Sequence, residues 1–359
     1  MNTDAGGGRP APALAVVGAT GAVGTVLLPI LSQRADVWGE IRLIASARSA
    51  GRVLGVRGAD TEVMALTEDA FDGFGPGDVV IFLTPREVSA RWVPVVTARG
   101  CVAVDRSGAF RMDPEVPLVV PEINPTAARV RPRGVVAGPG CATLSMIGAV
   151  GALHAEYGLA ALSVSSYQAA SAAGRAGVDV LRKQLALVAG TALGEQPGDV
   201  RRAVGEETGP FPAPLVLNVV PWVGDLAEDG WSSEELSLRA ETRRLLALPE
   251  LPVAVTCVRV PVVTGHSMTV HARFEREVSA ATAHELLAAA PGVVLVDDPA
   301  TGEFPTPADA VGTDPVWVGR VRRSLDDVRS LEFFVSGDNL RKGAALNAAQ
   351  IAELVAAEL

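Results

Sequence analysis

The chain has 359 residues, 48% of them hydrophobic and 20% charged, with a formal net charge of −10. That length suits two domains of roughly 100–200 residues each, and the acid excess excludes an extended nucleic-acid surface, because phosphate-backbone binding needs clustered Lys and Arg. No apolar run reaches the roughly 18 residues of a membrane helix, and Cys101, Cys141 and Cys257 lie too far apart for a disulfide framework or a zinc cluster; a soluble, cytoplasmic chain with no nucleic-acid, membrane or metal partner is expected.

Residues 1–12 are rich in Gly, Pro and Ala, lack a basic region and an apolar signal core, and read as a flexible tail. The apolar run 14–17 breaks into Gly18-Ala19-Thr20-Gly21-Ala22-Val23-Gly24 and resumes as an apolar-periodic segment over 26–31, which predicts strand, glycine turn and helix. Strands over 41–45, 79–82 and 102–104 and a helix around 88–98 follow at regular spacing. This alternation predicts a Rossmann-type α/β domain over 13–140, a parallel sheet covered by helices.

After Cys141 a helix runs to about Glu156, followed by a strand over 162–167 and an Ala-rich helix around 178–188. A Pro-rich loop near 209–214 and a charged amphipathic helix over 234–247 come next. Strands over 253–259, 267–274, 316–322 and 330–335, with few helices between them, predict an α+β domain over 141–339 with a mostly antiparallel sheet. The last segment, 340–359, has a helical pattern and is expected to return to the first domain.

Three places carry chemistry. Gly18, Gly21 and Gly24 make a variant dinucleotide fingerprint between strand and helix, where glycines let the backbone approach a pyrophosphate. At the end of the second strand no acidic residue stands ready for a ribose 2′-hydroxyl; Ser46, Arg48 and Ser49 stand there instead and suit a 2′-phosphate, which favours NADP over NAD. Cys141 opens a helix after the turn Gly138-Pro139-Gly140, where free N–H groups and the helix dipole are expected to lower the thiol pKa. In the segment 257–267, Arg259 ends an apolar strand and His266 follows a Thr-Gly turn, so one can bind an anion and the other move protons.

These segments together resemble the aspartate-β-semialdehyde dehydrogenase family over 14–359. The resemblance also rests on Ala109-Phe110-Arg111-Met112, Val120-Pro121-Glu122-Ile123-Asn124-Pro125, Ser166-Tyr167-Gln168-Ala169 and Asp338-Asn339-Leu340-Arg341-Lys342-Gly343-Ala344-Ala345. It implies reductive dephosphorylation of β-aspartyl phosphate with NADPH through a cysteine thioester, in a homodimer or homotetramer. Cys141 would be the nucleophile, Gln168 an orienting residue and His266 the acid/base. Arg259 would bind the substrate α-carboxylate, Glu234 the amino group and Arg111 the phosphate. Asn339 would contact the nicotinamide carboxamide, and Ser171 and Gly174 would line the cofactor with Thr20, Ala22 and Val23 of the glycine turn.

The chain departs from that pattern where phosphate is handled. The family reads Asn-Pro-Asn-Cys, and here both Asn positions are glycine, Gly138 and Gly140; the lysine three residues after Glu234 is Ser237. Arg86 and Arg106, charges foreign to the family pattern, are either substitutes for the missing contacts or solvated surface arginines. A divergent paralogue acting on another small acyl group by the same chemistry stays open as the alternative.

Overall fold

The computed structural model of the chain describes residues 11–34 and 37–358. The tail expected over 1–12 lies outside the described residues except for its last two positions.

The first sheet and its helices are β1 (Leu14–Val17), α1 (Ala22–Gln33), β2 (Ile41–Ala45), β3 (Val53–Val56), β4 (Ala59–Ala65), β5 (Val79–Phe82), α2 (Arg86–Thr97), β6 (Val102–Asp105) and β7 (Val135–Ala137). The order is β3-β4-β2-β1-β5-β6-β7, parallel apart from the β3–β4 hairpin at one edge. β1, β5 and β6 are buried at every position, as parallel strands covered on both faces must be. Alternate side chains divide between the faces: Leu14, Val16, Val79 and Ile81 share a core with Leu27 and Leu31 of α1, while Ala15, Val17, Val80 and Phe82 share another with Val93 and Val96 of α2. Strand order reverses beside β1, which opens a crevice at the carboxyl ends of β1 and β5. Open α/β sheets bind ligands at such a place.

The second part comprises α3 (Cys141–Tyr157), β8 (Leu159–Gln168), α4 (Gly174–Val188), α5 (Asp199–Val204), α6 (Ser233–Leu245), β9 (Val253–Arg259), β10 (His266–Phe274), α7 (Ala280–Ala289), β11 (Val293–Leu295), α8 (Pro307–Ala310), β12 (Val316–Arg323) and β13 (Ser330–Gly337). Its sheet runs β11-β12-β13-β10-β8-β9. The three inner pairs are antiparallel, whereas the outer pairs β8–β9 and β11–β12 are parallel. The expected antiparallel character therefore holds at the centre, and the sheet as a whole is mixed. Helices cross between the paired edge strands and return the chain in the same direction, which parallel pairing requires.

Two helix boundaries follow from local chemistry. Gly158, at φ 70°, ends α3, and Ser232 starts α6 with a capping box, accepting from Glu235 N while Glu235 Oε2 accepts from Ser232 N. The C-terminal segment is not one regular helix as expected: a π-helical turn over Arg341–Leu346 precedes α9 (Asn347–Ala356). It does return to the first sheet, where Ala345, Ile351 and Val355 join the core of Leu14, Val16 and Leu27.

Candidate active site

The crevice is shaped by glycines. Gly18 has φ 94°, and a Cβ there would stand 2.5 Å from the Leu83 carbonyl oxygen, so the turns after β1 and β5 can meet this closely only at glycine. A Cβ on Gly24 would lie 2.4 Å from Gly18 O, and its absence seats α1 on the turn. No side chain caps α1 at Gly21, which leaves its first N–H groups to the crevice. Gly21, Ala22 and Val23 line a cavity of about 440 Å³ together with Leu83, Thr84, Pro85, Ser171 and Gly174. The residues present thus fit a dinucleotide pyrophosphate. Thr20 is half-buried inside the turn, while Ser46 and Arg48 are exposed and Ser49 half-buried beyond the end of β2, outside that cavity.

Asn339 joins the two halves of the site. Its Oδ1 accepts from Gly265 N at 2.8 Å and its Nδ2 donates to Ser171 Oγ at 3.0 Å, so one buried amide ties β13's exit to the turn before His266 and to the segment after β8. It also lines the cavity.

Cys141 is the first residue of α3, and its Sγ lies 3.2 Å from His266 Nε2. His266 is fully buried, and its Nδ1 accepts from Ala169 N at 3.1 Å. A ring nitrogen that accepts a backbone N–H carries no proton, so the neutral imidazole holds its proton on Nε2 and presents it to sulfur. Burial, with Arg259 acting in the same direction, pushes the imidazole pKa down to about 3. The ring is neutral at any ordinary working pH.

The thiol corrects an expectation. Burial first and Glu234 second push Cys141 up to about 11, against Arg106, Arg111 and Arg259, where the helix start was expected to lower it. At that helix start Glu241, a buried carboxylate from α6, accepts from Gly140 N at 2.8 Å and from Thr143 Oγ1 at 2.5 Å. A negative group already occupies the positive end of the helix. Glu241 also pairs with Arg111 Nη1 at 3.1 Å, while Arg111 Nε donates to Gly138 O at 2.9 Å and Nη2 to Arg106 O at 2.8 Å.

The remaining expected residues converge from the second sheet. Gln168 and Arg259 are register partners at the ends of β8 and β9. Gln168 Nε2 donates to Ser166 Oγ at 3.2 Å and to Glu234 Oε1 at 3.4 Å, and Arg259 Nη1 donates to Ala169 O at 2.7 Å. Burial, then Glu241, raises the Glu234 pKa. Cys141, Arg111, Glu234, Gly140 and Arg106 line the same cavity as the glycine turn. Of the two foreign arginines, Arg86 is exposed at the start of α2, and Arg106 faces the thiol's cavity. Ser237, one turn beyond Glu234 on α6, is not among the lining residues. Glu241 escaped sequence reasoning, although it stands seven residues, about two helical turns, after Glu234 and so shares its face of α6.

A dinucleotide crevice joined to a buried thiol–imidazole pair defines a thiol-bearing dehydrogenase. The chain matches the family models described as semialdehyde dehydrogenase, NAD binding domain, over 13–130 and semialdehyde dehydrogenase, dimerisation domain, over 150–342. Aspartate-semialdehyde dehydrogenase of Streptomyces akiyoshiensis is 46% identical over 348 residues, covering 96% of this chain and 98% of that protein; the Corynebacterium glutamicum enzyme is 44% identical over 346 residues, covering 95% and 98%. The crystal structure of aspartate semialdehyde dehydrogenase II from Vibrio cholerae superposes with a TM-score of 0.85 at 34% identity, covering 95% of this chain and 97% of that one. The chain belongs to the aspartate-semialdehyde dehydrogenase family, and it is an oxidoreductase with a nicotinamide cofactor. Among the described residues, no helix is long and apolar enough to cross a membrane.

Proposed function

We infer that the chain is an NADP-dependent aspartate-semialdehyde dehydrogenase that reduces β-aspartyl phosphate through a thioester on Cys141. The observation that carries this reading is the Cys141 Sγ–His266 Nε2 contact of 3.2 Å, set beside the glycine turn by a single cavity. Cys141 sulfur attacks the acyl carbon: the C–S bond forms, the acyl–oxygen bond to phosphate breaks, and the thiol proton leaves with the departing phosphate. Held at Gly21, Ala22 and Val23, NADPH would supply the hydride that takes the acyl group to the aldehyde level. His266, held in one tautomer by Ala169 N, donates its Nε2 proton as a hydrogen bond first to the sulfur and then to the oxygen of the tetrahedral adduct. As that adduct collapses, the C–S bond breaks, the carbonyl re-forms and Cys141 leaves as a thiolate.

Arg259 takes the substrate α-carboxylate. Glu234, whose pKa burial raises, takes the substrate ammonium, whose positive charge favours the carboxylate form. Arg111 faces the phosphate, Gln168 fixes Glu234, and Asn339 meets the nicotinamide amide. Ser46, Arg48 and Ser49, at the carboxyl end of β2, receive the 2′-phosphate. Residues 13–140 with 340–359 form the cofactor part, 141–339 the catalytic and dimerisation part of a cytoplasmic homodimer or homotetramer.

Phosphate-dependent NADP reduction with aspartate semialdehyde tests this reading against Cys141→Ala. Activity confined to the wild type is the expected result, and equal rates in both proteins would overturn it.

A further inference from the structure

Arg106 follows β6 directly, and its side chain lines the cavity with Cys141, Arg111 and Glu234. Nη1 donates to the Pro139 carbonyl and Nη2 to the Gly343 carbonyl at 2.6 Å, while the buried Nε has no partner. Both acceptors are neutral backbone oxygens. Arg111, by contrast, spends its charge on Glu241. A cation withdrawn from water with an unused donor and only neutral partners is built to meet an anion that comes and goes.

The second observation is steric. A Cβ on Gly138 would stand 2.6 Å from Arg106 Nη1 and 2.9 Å from its Cδ. The guanidinium cannot swing aside without giving up its bonds to Pro139 and Gly343. Gly138 is not among the glycines with a left-handed φ, so the backbone there does not call for glycine. The space does. At Gly140 a Cβ would meet Arg111 Nη1 and Glu241 Oε2 at a tight but less severe 3.3 Å, so the demand for room is stronger at position 138.

We propose that Arg106 is the second cation of the phosphate subsite, standing in for the side chains missing at Gly140 and Ser237, and that Gly138 is glycine in order to admit it. The proposal rests on the phosphate-dependent reaction inferred above. In the aldehyde-oxidising direction a phosphate oxygen attacks the acyl carbon on Cys141: the C–O bond forms, the C–S bond breaks, and sulfur departs as a thiolate with Arg106 beside it. Burial and the neighbouring Arg111 lower the Arg106 pKa to about 10 and Cys141 opposes them, so the guanidinium stays charged in neutral solution while sensing the sulfur.

The test is steady-state oxidation of aspartate semialdehyde with inorganic phosphate varied, on wild type, Arg106→Gln, Arg106→Lys, Gly138→Ala and the Arg106→Gln/Gly138→Ala pair. Losing charge-assisted hydrogen bonds raises the phosphate KM of Arg106→Gln roughly tenfold to a hundredfold, with the KM for aspartate semialdehyde little changed and partial recovery in Arg106→Lys. Gly138→Ala raises the phosphate KM alone and adds nothing in the Arg106→Gln background. The pH profile of Cys141 alkylation by iodoacetamide moves upward in Arg106→Gln, a shift that a merely structural arginine would not produce. An unmoved phosphate KM in a phosphate-dependent enzyme overturns the role of Arg106 and leaves the function standing. A wild type indifferent to phosphate overturns both. Should Arg106→Gln fail to fold, Gly138→Ala decides, because a phosphate KM equal to the wild type's overturns the proposal.

Discussion

Glu241→Gln is the perturbation that asks most of this site. The carboxylate accepts from Arg111 Nη1, Gly140 N and Thr143 Oγ1 at 3.1, 2.8 and 2.5 Å, and its side chain is only 2% exposed. A glutamine of the same shape cannot serve this set. With its NH₂ toward Arg111 it meets a cationic donor, and turned the other way it meets the Gly140 N–H, so one donor faces another in either orientation. Leaving a partly buried cation under-compensated, with one donor pair opposed, costs about 2–4 kcal/mol. At ~2.1 cal/mol/K of unfolding entropy per residue over 359 residues, this lowers Tm by roughly 3–5 °C. Removing a negative charge from the start of α3 also makes the thiolate easier to form, so the rate of Cys141 alkylation rises at lower pH than in the wild type. Differential scanning calorimetry and iodoacetamide kinetics read the two effects. A variant with wild-type Tm and an unmoved alkylation profile would refute the reasoning, because Glu241 would then be neither holding the turn nor charging the helix start.

Acidification gives a second prediction. His266 has a folded pKa of about 3 against an ordinary 6.5, so the unfolded chain binds the extra proton between those values, and His266 contributes stability above that window that is lost as pH falls through it. Unfolding free energy measured by urea titration falls from pH 6.5 toward 3 more steeply in the wild type than in His266→Asn; parallel slopes contradict the neutral buried imidazole. Arg48→Ala separates the cofactors: kcat/KM for NADP drops by about one to two decades, the worth of a lost charge-assisted contact, and that for NAD stays put. Equal losses with both cofactors would remove Arg48 from the 2′-phosphate.

The parallel sheet was legible because its strands are continuous apolar runs set at regular spacing, and β1, β2 and β5 fall where those runs lie. The β3–β4 hairpin was not, since Asp60, Thr61 and Glu62 on an exposed edge offer no apolar alternation to read. Nor was β7, three residues long and hidden behind the turn that precedes Cys141. At the site, the residues singled out by type, Cys141, His266, Arg259, Gln168 and Glu234, lie close together. The electrostatic sign at the thiol could not be read in advance, because it depends first on burial and then on Glu234, which comes from a helix far downstream of Cys141. Arg106 was visible as a charge, but its position depends on the space at Gly138 and the π-helical carbonyl of Gly343.

One apolar core runs from Val80 and Phe82 of the first sheet, through Met146 and Ile147 of α3, to Val270 and Phe333 of the second. Chimeras built by grafting the cofactor-binding half of one relative onto the catalytic half of another would have to match side-chain volumes across α3, and a cut at residue 140 would run through a packed interior. Under the 2′-phosphate role proposed for Arg48, cofactor preference is better re-engineered there on the rim, where the side chain is exposed and exchange disturbs no packing, and substrate preference at the charges around Cys141.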